Sequence, residues 1–536
     1  VKPRWIGVAL AVIATVVVAI NQRDVGIARD EVVYMQAGAR YADWWLGLVT
    51  FGHGPGRDSV TKTFGGPGAT DNNREHPPVM KTLFGLSHKL LHDQLGVLDD
   101  VTAFRLPSAI LHGAAVGLVF AIALGLWGLA EAVIAAVLLT LLPRALFHAG
   151  LACFDAPTMT LWLATAYAYA RALDGRRWPW QVGVLWGLAL GTKHTALLLP
   201  FALGLHYLIV AYRARPPALR GLEIVRAVIL YRWRVIVSLA VLGPLTLYAV
   251  WPWLWFDPIH HVRDWLAFHT SHVHYNYEYL GHNWNAPRFP WHVALVTTLF
   301  TVPVATLAAA ALGAGVWIRQ RGQRPGAPLL LWALSAAASI GPFLLGTTPI
   351  FGAEKHWMPV LPTICLAAGA GAGWAARAVH GYLAPRLAIA VVGAALALAS
   401  LAEVSVAEPY ALTWYNALAG GAPGGADLGM NRQFWGVAMR GVLPHLPSPS
   451  APTPIYTHDA SPAWPLYQRD GLASKNLPDA GWEQQGIDRS QLAVVLHERH
   501  FNRHDYLIWK SYGTVQPIFV LRAAGVPIAS LYRRVR

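Results

Sequence analysis

The chain has 536 residues, of which 55% are hydrophobic and only 13% charged, against about 25% charged in an ordinary globular protein. So little charge cannot cover a soluble surface, and the wealth of Leu, Val and Trp excludes intrinsic disorder. Much of the net charge of +14 lies in short patches between apolar runs, the pattern of cytoplasmic loops rather than of a nucleic-acid-binding face.

A helical span needs about 20 mostly apolar residues. Eleven such stretches are predicted, at 5–21, 104–125, 128–143, 155–172, 179–192, 195–212, 235–255, 292–317, 327–346, 357–377 and 386–404. Gly191, Thr192, Lys193 and His194 divide the fifth from the sixth. A Lys at mid-bilayer costs about 2.5–3.5 kcal/mol, and a hairpin tip moves it to an interface. Lys2 and Arg4 precede the first span, and Ala19-Ile20-Asn21-Gln22 offers no small-x-small cleavage site. That stretch therefore reads as a membrane helix with its N-terminus inside, not as a cleaved signal. The loops holding Arg171, Arg176 and Arg177, then Arg213 to Arg234, then Arg319, Arg321 and Arg324, then Arg377 and Arg386 fall on the same inner side, as positive-inside orientation requires. Segments 22–103, 256–291, 347–356 and 405–536 are then outside. The predicted organisation is a membrane domain, 1–404, including the outer loop 22–103, and an outer C-terminal domain, 405–536, with membrane lipids around the spans.

In the first outer segment, Tyr34, Ala37, Tyr41, Trp44, Trp45 and Leu48 form a helical stripe, with Glu31, Arg40 and Asp43 elsewhere around the helix. This predicts an interfacial amphipathic helix. Residues 51–73 are rich in Gly, Asn and Asp and read as a mobile loop. A second amphipathic helix is predicted after Pro77-Pro78. The tail mixes helix-like runs (427–442 and 461–469) with strand-like runs near Ile455, 493–496, 518–521 and Ile528, which predicts a small α/β domain.

The polar residues of these outer segments are the candidates for chemistry. Asp30-Glu31 reads either as an N-cap with a first-turn acid or as a general base with a partner that orients it. Glu75 and His76 precede a double Pro that can open a helix, and are either capping groups or site residues. Arg105, Lys193, Lys355 and His356 each lie at the outer end of a span. Snorkelling accounts for any one of them. Four converging on one membrane face would suit a lipid phosphate or diphosphate. Asp155 opens the fourth span, either as an N-cap or as a functional acid beside a membrane cavity. His269, His272 and His274 could ligate a metal, but their spacing matches no helical zinc motif. An interfacial aromatic belt is the better reading of 256–292. The two cysteines, Cys153 and Cys365, lie in apolar stretches and build neither a disulfide framework nor a cysteine zinc site. The chain has no Walker A motif, no Gly-x-Ser-x-Gly elbow and no His-Glu-x-x-His.

Several motifs occur in a telling order. They are Asp30-Glu31 after the first span, His76-Pro77-Pro78-Val79-Met80-Lys81, Arg105-Leu106-Pro107-Ser108, Gly191-Thr192-Lys193 and Lys355-His356-Trp357-Met358-Pro359-Val360-Leu361-Pro362. Pro409-Tyr410-Ala411-Leu412-Thr413-Trp414-Tyr415-Asn416, then Gly420-Gly421, follow the last span. Over about residues 1–440 this order resembles the GT-C fold glycosyltransferases of family 39, the protein O-mannosyltransferases and lipid A aminoarabinose transferases. One departure is that Asn431-Arg432-Gln433-Phe434-Trp435-Gly436 stands where relatives often have Asn-x-Asp-Trp-Gly. Asp43-Trp44-Trp45 is not the Trp-Trp-Asp-Tyr-Gly motif of oligosaccharyltransferases.

The resemblance implies an α-helical polytopic membrane protein in a bacterial inner membrane. It implies transfer of a sugar from a polyprenyl-phosphate donor to a hydroxyl of a protein, lipid or glycan acceptor on the outer face. A phosphate is a good leaving group, so one carboxylate must take the acceptor's proton and cations must hold the phosphate. Asp30 is then the base, with Glu31 beside it. Lys193, Arg105 and His356, with Lys355, are the phosphate clamp, and Glu75, His76 and Asp155 are further candidates. The chemistry requires no cofactor and no metal, and nucleic acid is not a partner. A transporter or flippase for lipid-linked sugars is the rival reading. It would share the cationic pocket but leave the outer loop and outer domain without a use.

Overall fold

The computed structural model describes residues 2–65, 73–175, 178–320 and 328–535. Arg176, Arg177, Arg321 and Arg324 of the predicted inner loops, and 66–72 of the predicted mobile loop, lie outside the described residues.

Each predicted span coincides with a helix or a helix pair. The first is α1 (Pro3–Asn21), which begins on a Pro, tolerated there because the first-turn N–H has no helical partner. Next, α2 (Arg29–Val49) buries Tyr34, Ala37, Tyr41 and Trp44 of the predicted stripe. It also buries Glu31, which the stripe had left off the packed face. Part of the predicted mobile loop is instead helical, α3 (Arg57–Phe64). The reason is packing: Val60 and Phe64, four residues apart on one face, are buried, and Phe64 stacks on Tyr41 with centroids 4.3 Å apart. The helix expected after the double Pro is α4 (Val79–His88), which runs into a π turn, Lys89–Gln94. Asp99 caps α5 (Asp100–Leu126), accepting from the Thr102 N–H at 2.9 Å. Then come α6 (Leu129–Thr140), α7 (Pro143–Ala149) and α8 (Asp155–Asp174).

By length and apolar composition, six helices among the described residues can cross a membrane, or up to eight if each bent pair is one span. The bent pairs are α6 with α7, at 66°, and Val293–Thr301 with Val304–Arg319, at 118°. Trp180–Leu190 and Leu329–Leu344 are apolar but shorter. The protein is a multi-pass integral membrane protein. Its helices are more broken than eleven uniform spans would be.

The tail forms the expected small sheet. After a hairpin of β1 (Tyr277–Tyr279) and β2 (His282–Trp284) come β3 (Ile455–Tyr456), β4 (Leu492–Leu496), β5 (Phe519–Ala523) and β6 (Val526–Arg533), in the order β3-β4-β6-β5. The β3–β4 pair is parallel and the others antiparallel. Ala524 and Gly525 both have positive φ, 45° and 86°, as a tight two-residue hairpin turn demands. The predicted helical run 427–442 is turns and irregular chain from 428 to 438, between the end of a helix at Asp427 and the short helix Met439–Val442. Gly429 and Gly436, both at positive φ, break it.

The segments between the spans gather together. The Ile27 N–H donates to Tyr467 Oη at 2.7 Å. Trp265 Nε1 donates to the Glu75 carbonyl at 3.0 Å. The Arg499 N–H donates to Glu278. One continuous hydrophobic cluster takes Ile27 and Met35 from the first segment, Phe84 from α4, and Trp464, Leu492 and Ile528 from the tail.

What sets α2 against α4 is a crossing of two glycines. A Cβ on Gly38 would lie 2.4 Å from the Lys81 carbonyl oxygen, and one on Gly85 would lie 1.9 Å from the Gly38 carbonyl oxygen. Small residues let helix backbones approach this closely. Gly85→Val is expected to push the helices apart and cost at least about 1–3 kcal/mol, the usual penalty of overpacking. The measurement is the thermal unfolding midpoint in detergent, and an unchanged midpoint would mean the crossing is not tight.

Candidate active site

The buried centre of these gathered segments is an ion pair. Arg105, on the first turns of α5, donates Nε to Glu31 Oε1 at 2.8 Å and Nη2 to Glu31 Oε2 at 2.7 Å. Its other N–H groups go to the carbonyls of Gln22 at 2.9 Å, Val25 at 3.0 Å and Gly26 at 2.8 Å. A guanidinium has five N–H donors, and all are used. Glu31 in turn accepts from the N–H of Ala28 at 2.8 Å and of Ala152 at 2.7 Å. Both side chains are essentially inaccessible, at 2% and 0%. Arg105 therefore has no donor left for a phosphate, and Glu31 has no open face for a substrate. Their predicted places in a clamp and a catalytic pair give way to a structural latch.

Asp30 is different. Adjacent helical residues point about 100° apart, so burying Glu31 turns Asp30 outward. Its side chain is 29% exposed and lines a cavity of about 350 Å³. Asn73, His76, Tyr275, Lys355 and Trp435 share that cavity, with Asp459 and Glu498 from the tail. Arg29 holds one wall, with Nη1 2.6 Å from Asp459 Oδ1 and Nε 3.6 Å from Asp30 Oδ1. Lys355 Nζ sits 3.8 Å from the centre of the Trp435 ring, a cation–π contact. Burial pushes the Lys355 ammonium below its ordinary range, while the charges of Asp30 and Asp155 pull it back up. Burial, and then the nearby Lys81, His269, Lys193 and Lys355, hold His76 well below the ordinary imidazole range, so it is neutral. Its Nδ1 is buried with no hydrogen-bond partner among the described residues. Burial, then the charges of Asp459 and Glu278, raise Glu498 above the usual carboxylate range.

Trp435 adopts a left-handed backbone, φ 71°, which costs a bulky residue about 1–3 kcal/mol. It is held there by the Arg29 N–H, which donates to its carbonyl at 2.9 Å, and by the Lys355 contact.

Of the nine predicted site residues, Asp30, His76 and Lys355 line the cavity. Lys193 is buried with Nζ 2.6 Å from Asp155 Oδ1. Asp155 is the first residue of α8 rather than its N-cap. His356 is tied through Nε2 to the Phe351 carbonyl at 2.5 Å, so that nitrogen is spoken for. Glu75 accepts from Asn73 Nδ2 at 2.8 Å, and its carbonyl anchors Trp265. His269, His272 and His274 do not form a metal cluster. Their rings stack instead on His194, Phe351 and Phe289.

Sequence reasoning missed a second buried network. Arg144 Nη1 is 3.2 Å from Glu354 Oε1, and His148 Nε2 is 3.2 Å from the same oxygen. Arg144 Nη2 also donates to the carbonyls of Leu412 at 2.8 Å and Trp414 at 3.2 Å. This locks the segment before Lys355 to the chain just past the last membrane helix. The available signal was Arg144 and His148, four residues apart in an otherwise apolar run, since ionisable groups there seldom lack a partner. Arg29, Asp459 and Glu498 were also missed. The two acids lie far along the chain in ordinary loop sequence.

A family model described as dolichyl-phosphate-mannose-protein mannosyltransferase matches residues 75–250, about a third of the chain. No curated protein matches the chain. Among solved structures, the archaeal oligosaccharyltransferase AglB from Archaeoglobus fulgidus, in complex with an inhibitory peptide and a dolichol-phosphate, is similar over 95% of this chain and 71% of that chain, at 10% identity and a TM-score of 0.50. ArnT from Cupriavidus metallidurans, bound to undecaprenyl phosphate, aligns over 99% of this chain and 98% of that chain, at 14% identity and a TM-score of 0.48. The likeness to AglB is one of fold, the GT-C fold.

The latch has a direct test. Glu31→Gln keeps the size but sets an amide N–H₂ against donors on every side and leaves Arg105 charged and unpaired. Removing one partner of a buried ion pair costs about 3–5 kcal/mol. The expected result is a protein with a clearly lower unfolding midpoint in detergent. A midpoint equal to the wild type would remove the latch from the account of stability.

Proposed function

We propose that this membrane glycosyltransferase of the GT-C fold moves a sugar from a polyprenyl-phosphate donor to a hydroxyl of a protein, lipid or glycan acceptor, with Asp30 as general base. The observation that carries this reading is the division of labour between neighbouring acids: Glu31 is spent on Arg105, while Asp30 opens into a polar cavity. The volume, about 350 Å³, is within the range of small-ligand sites and suits a sugar-phosphate headgroup. The polyprenyl chain then lies outside it, along the apolar helices. The match to the mannosyltransferase model over 75–250 supports the same class of reaction.

In this mechanism the acceptor hydroxyl gives its proton to Asp30 as its oxygen attacks the anomeric carbon. The bond from that carbon to the phosphate oxygen breaks, and the electron pair stays on the phosphate. Lys355 meets the developing charge as a buried ammonium, where low polarity strengthens the attraction. Neutral His76 offers Nδ1 to the sugar or the phosphate. Lys193, paired with Asp155, and His356, tied to Phe351, are held by those partners and do not line the cavity.

The arginine distribution supports a cytoplasmic N-terminus, an outer tail and, in a bacterium, residence in the inner membrane. Reporter fusions at residue 450 should report the outer side, and a cytoplasmic signal would overturn the placement of the site. A transporter would have no use for an open carboxylate beside a phosphate-binding cation.

Asp30→Asn preserves shape and removes the proton acceptor. It is expected to keep donor binding and to transfer sugar at least about a hundredfold more slowly, within the range for loss of a general base. Normal turnover in a transfer assay would exclude Asp30. Lys355→Gln is expected to weaken donor use roughly ten- to a hundredfold, as loss of a charged hydrogen bond of about 1.5–3 kcal/mol implies. Donor titration of the purified variant checks this, and unchanged affinity and rate would place the phosphate elsewhere.

A further inference from the structure

On the far side of the Glu31–Arg105 latch lies a second cavity, about 850 Å³, which shares no lining residue with the first. His88, at the end of α4, and His92, one turn later on the π turn, face Asp100 at the start of α5. Their three ligand atoms lie within 4.8 Å of one another, and no other group of three among the described residues converges in this way.

We infer that His88, His92 and Asp100 bind a divalent transition metal, with zinc the best match to two imidazoles and a carboxylate. The nitrogens that would not face the metal support this independently. His92 Nδ1 is 3.0 Å from the Leu98 carbonyl. That bond makes Nδ1 the protonated nitrogen and leaves the Nε2 lone pair for the metal. His88 Nδ1 is 3.7 Å from Asp93 Oδ1, and His88 stacks on Phe104 with centroids 4.0 Å apart, which fixes its ring plane. One oxygen of Asp100 faces His88 Nε2 at 2.7 Å, and the other is held by Arg469 of the tail. Metal-binding histidines nearly always place their second nitrogen on a carbonyl or a carboxylate, and ligating carboxylates are themselves hydrogen-bonded. His92 and Asp100 have such hydrogen-bonded partners, and Asp93 stands within ion-pair distance of His88. His92 also stacks on His88, with centroids 4.9 Å apart, which keeps the two rings side by side facing Asp100.

Metal binding replaces the His88–Asp100 hydrogen bond. The proton on His88 Nε2 moves by tautomerisation to Nδ1, beside Asp93, so both imidazoles ligate as neutral groups. Ligands at about 2.0 Å on a tetrahedron lie roughly 3.3 Å apart, a closure that side-chain rotations supply. The cavity leaves the fourth position to water or to Asp470. Such a metal would join the first outer segment, α5 and the tail, through Arg469, at one point.

The test uses the full-length protein in detergent, stripped with a chelator, dialysed against trace zinc and analysed by elemental mass spectrometry. Cobalt substitution follows, read by visible absorption. The expected result is about one zinc per chain and the intense cobalt bands of a tetrahedral site. His88→Ala with His92→Ala should lower affinity at least about a hundredfold, and Asp93→Asn about tenfold, as loss of an outer partner does. If the double variant does not fold, His92→Gln at this half-buried position must still abolish the cobalt bands. Wild-type protein that retains no zinc overturns the proposal. So does a His92 variant that keeps wild-type affinity, because the metal then sits elsewhere.

Discussion

The Arg105–Glu31 pair is the constraint on which the packing of the segments between the spans depends. It is bidentate and inaccessible, and every remaining donor of the guanidinium holds a carbonyl in the turn from α1 to α2. Two charges taken out of water this completely are stable only when every hydrogen-bonding position is filled, and here they are. The pair fixes the end of α1, the start of α2, the N-terminal turns of α5 and the loop before α8 relative to one another. Helical geometry then leaves the neighbouring carboxylate, Asp30, pointing the other way. The carboxylate that opens into the cavity is thus a by-product of where its neighbour had to go.

The cavity in front of Asp30 is a composite. Its walls come from the segment after α1, the 256–291 segment, Phe351 to Lys355 and the tail. The Arg144–Glu354–His148 network pins the approach to Lys355 against the chain past the last span. The shared hydrophobic cluster ties the tail's sheet to α4 and the start of α2. The left-handed Trp435, clasped between the Arg29 amide and the Lys355 ammonium, is where these supports meet. Strain of this size persists only when the surroundings over-determine it.

Much of the architecture was legible from periodicity. Apolar run length located the membrane helices. The spacing Tyr34, Ala37, Tyr41, Trp44 located the buried face of α2, and short apolar runs located β3 to β6. The misses have local causes. The helix 57–64 was hidden by glycine-rich flanks, and its formation rests on the Phe64–Tyr41 stack. The run 427–442 looked helical by composition but is divided by glycines at positive φ. Spans read as uniform are bent where α6 meets α7 and after Thr301.

For the candidate site, the sequence by itself determined which acids and cations stood at the ends of apolar runs. Cost decided that: charge is expelled from the bilayer interior. It could not sort these residues into those that face a ligand and those that neutralise one another. Asp30 and Glu31 are chemically near-equivalent and adjacent. Arg105, Lys193 and Lys355 carry the same charge, each at the end of an apolar run. Their fates parted only when distant segments came together, with Arg105 meeting Glu31, Lys193 meeting Asp155, and Lys355 meeting the ring of Trp435. The partners are separated by 74, 38 and 80 positions. Local sequence specifies the charge that a side chain carries. Only tertiary packing specifies which opposite charge or ring is brought within reach of it.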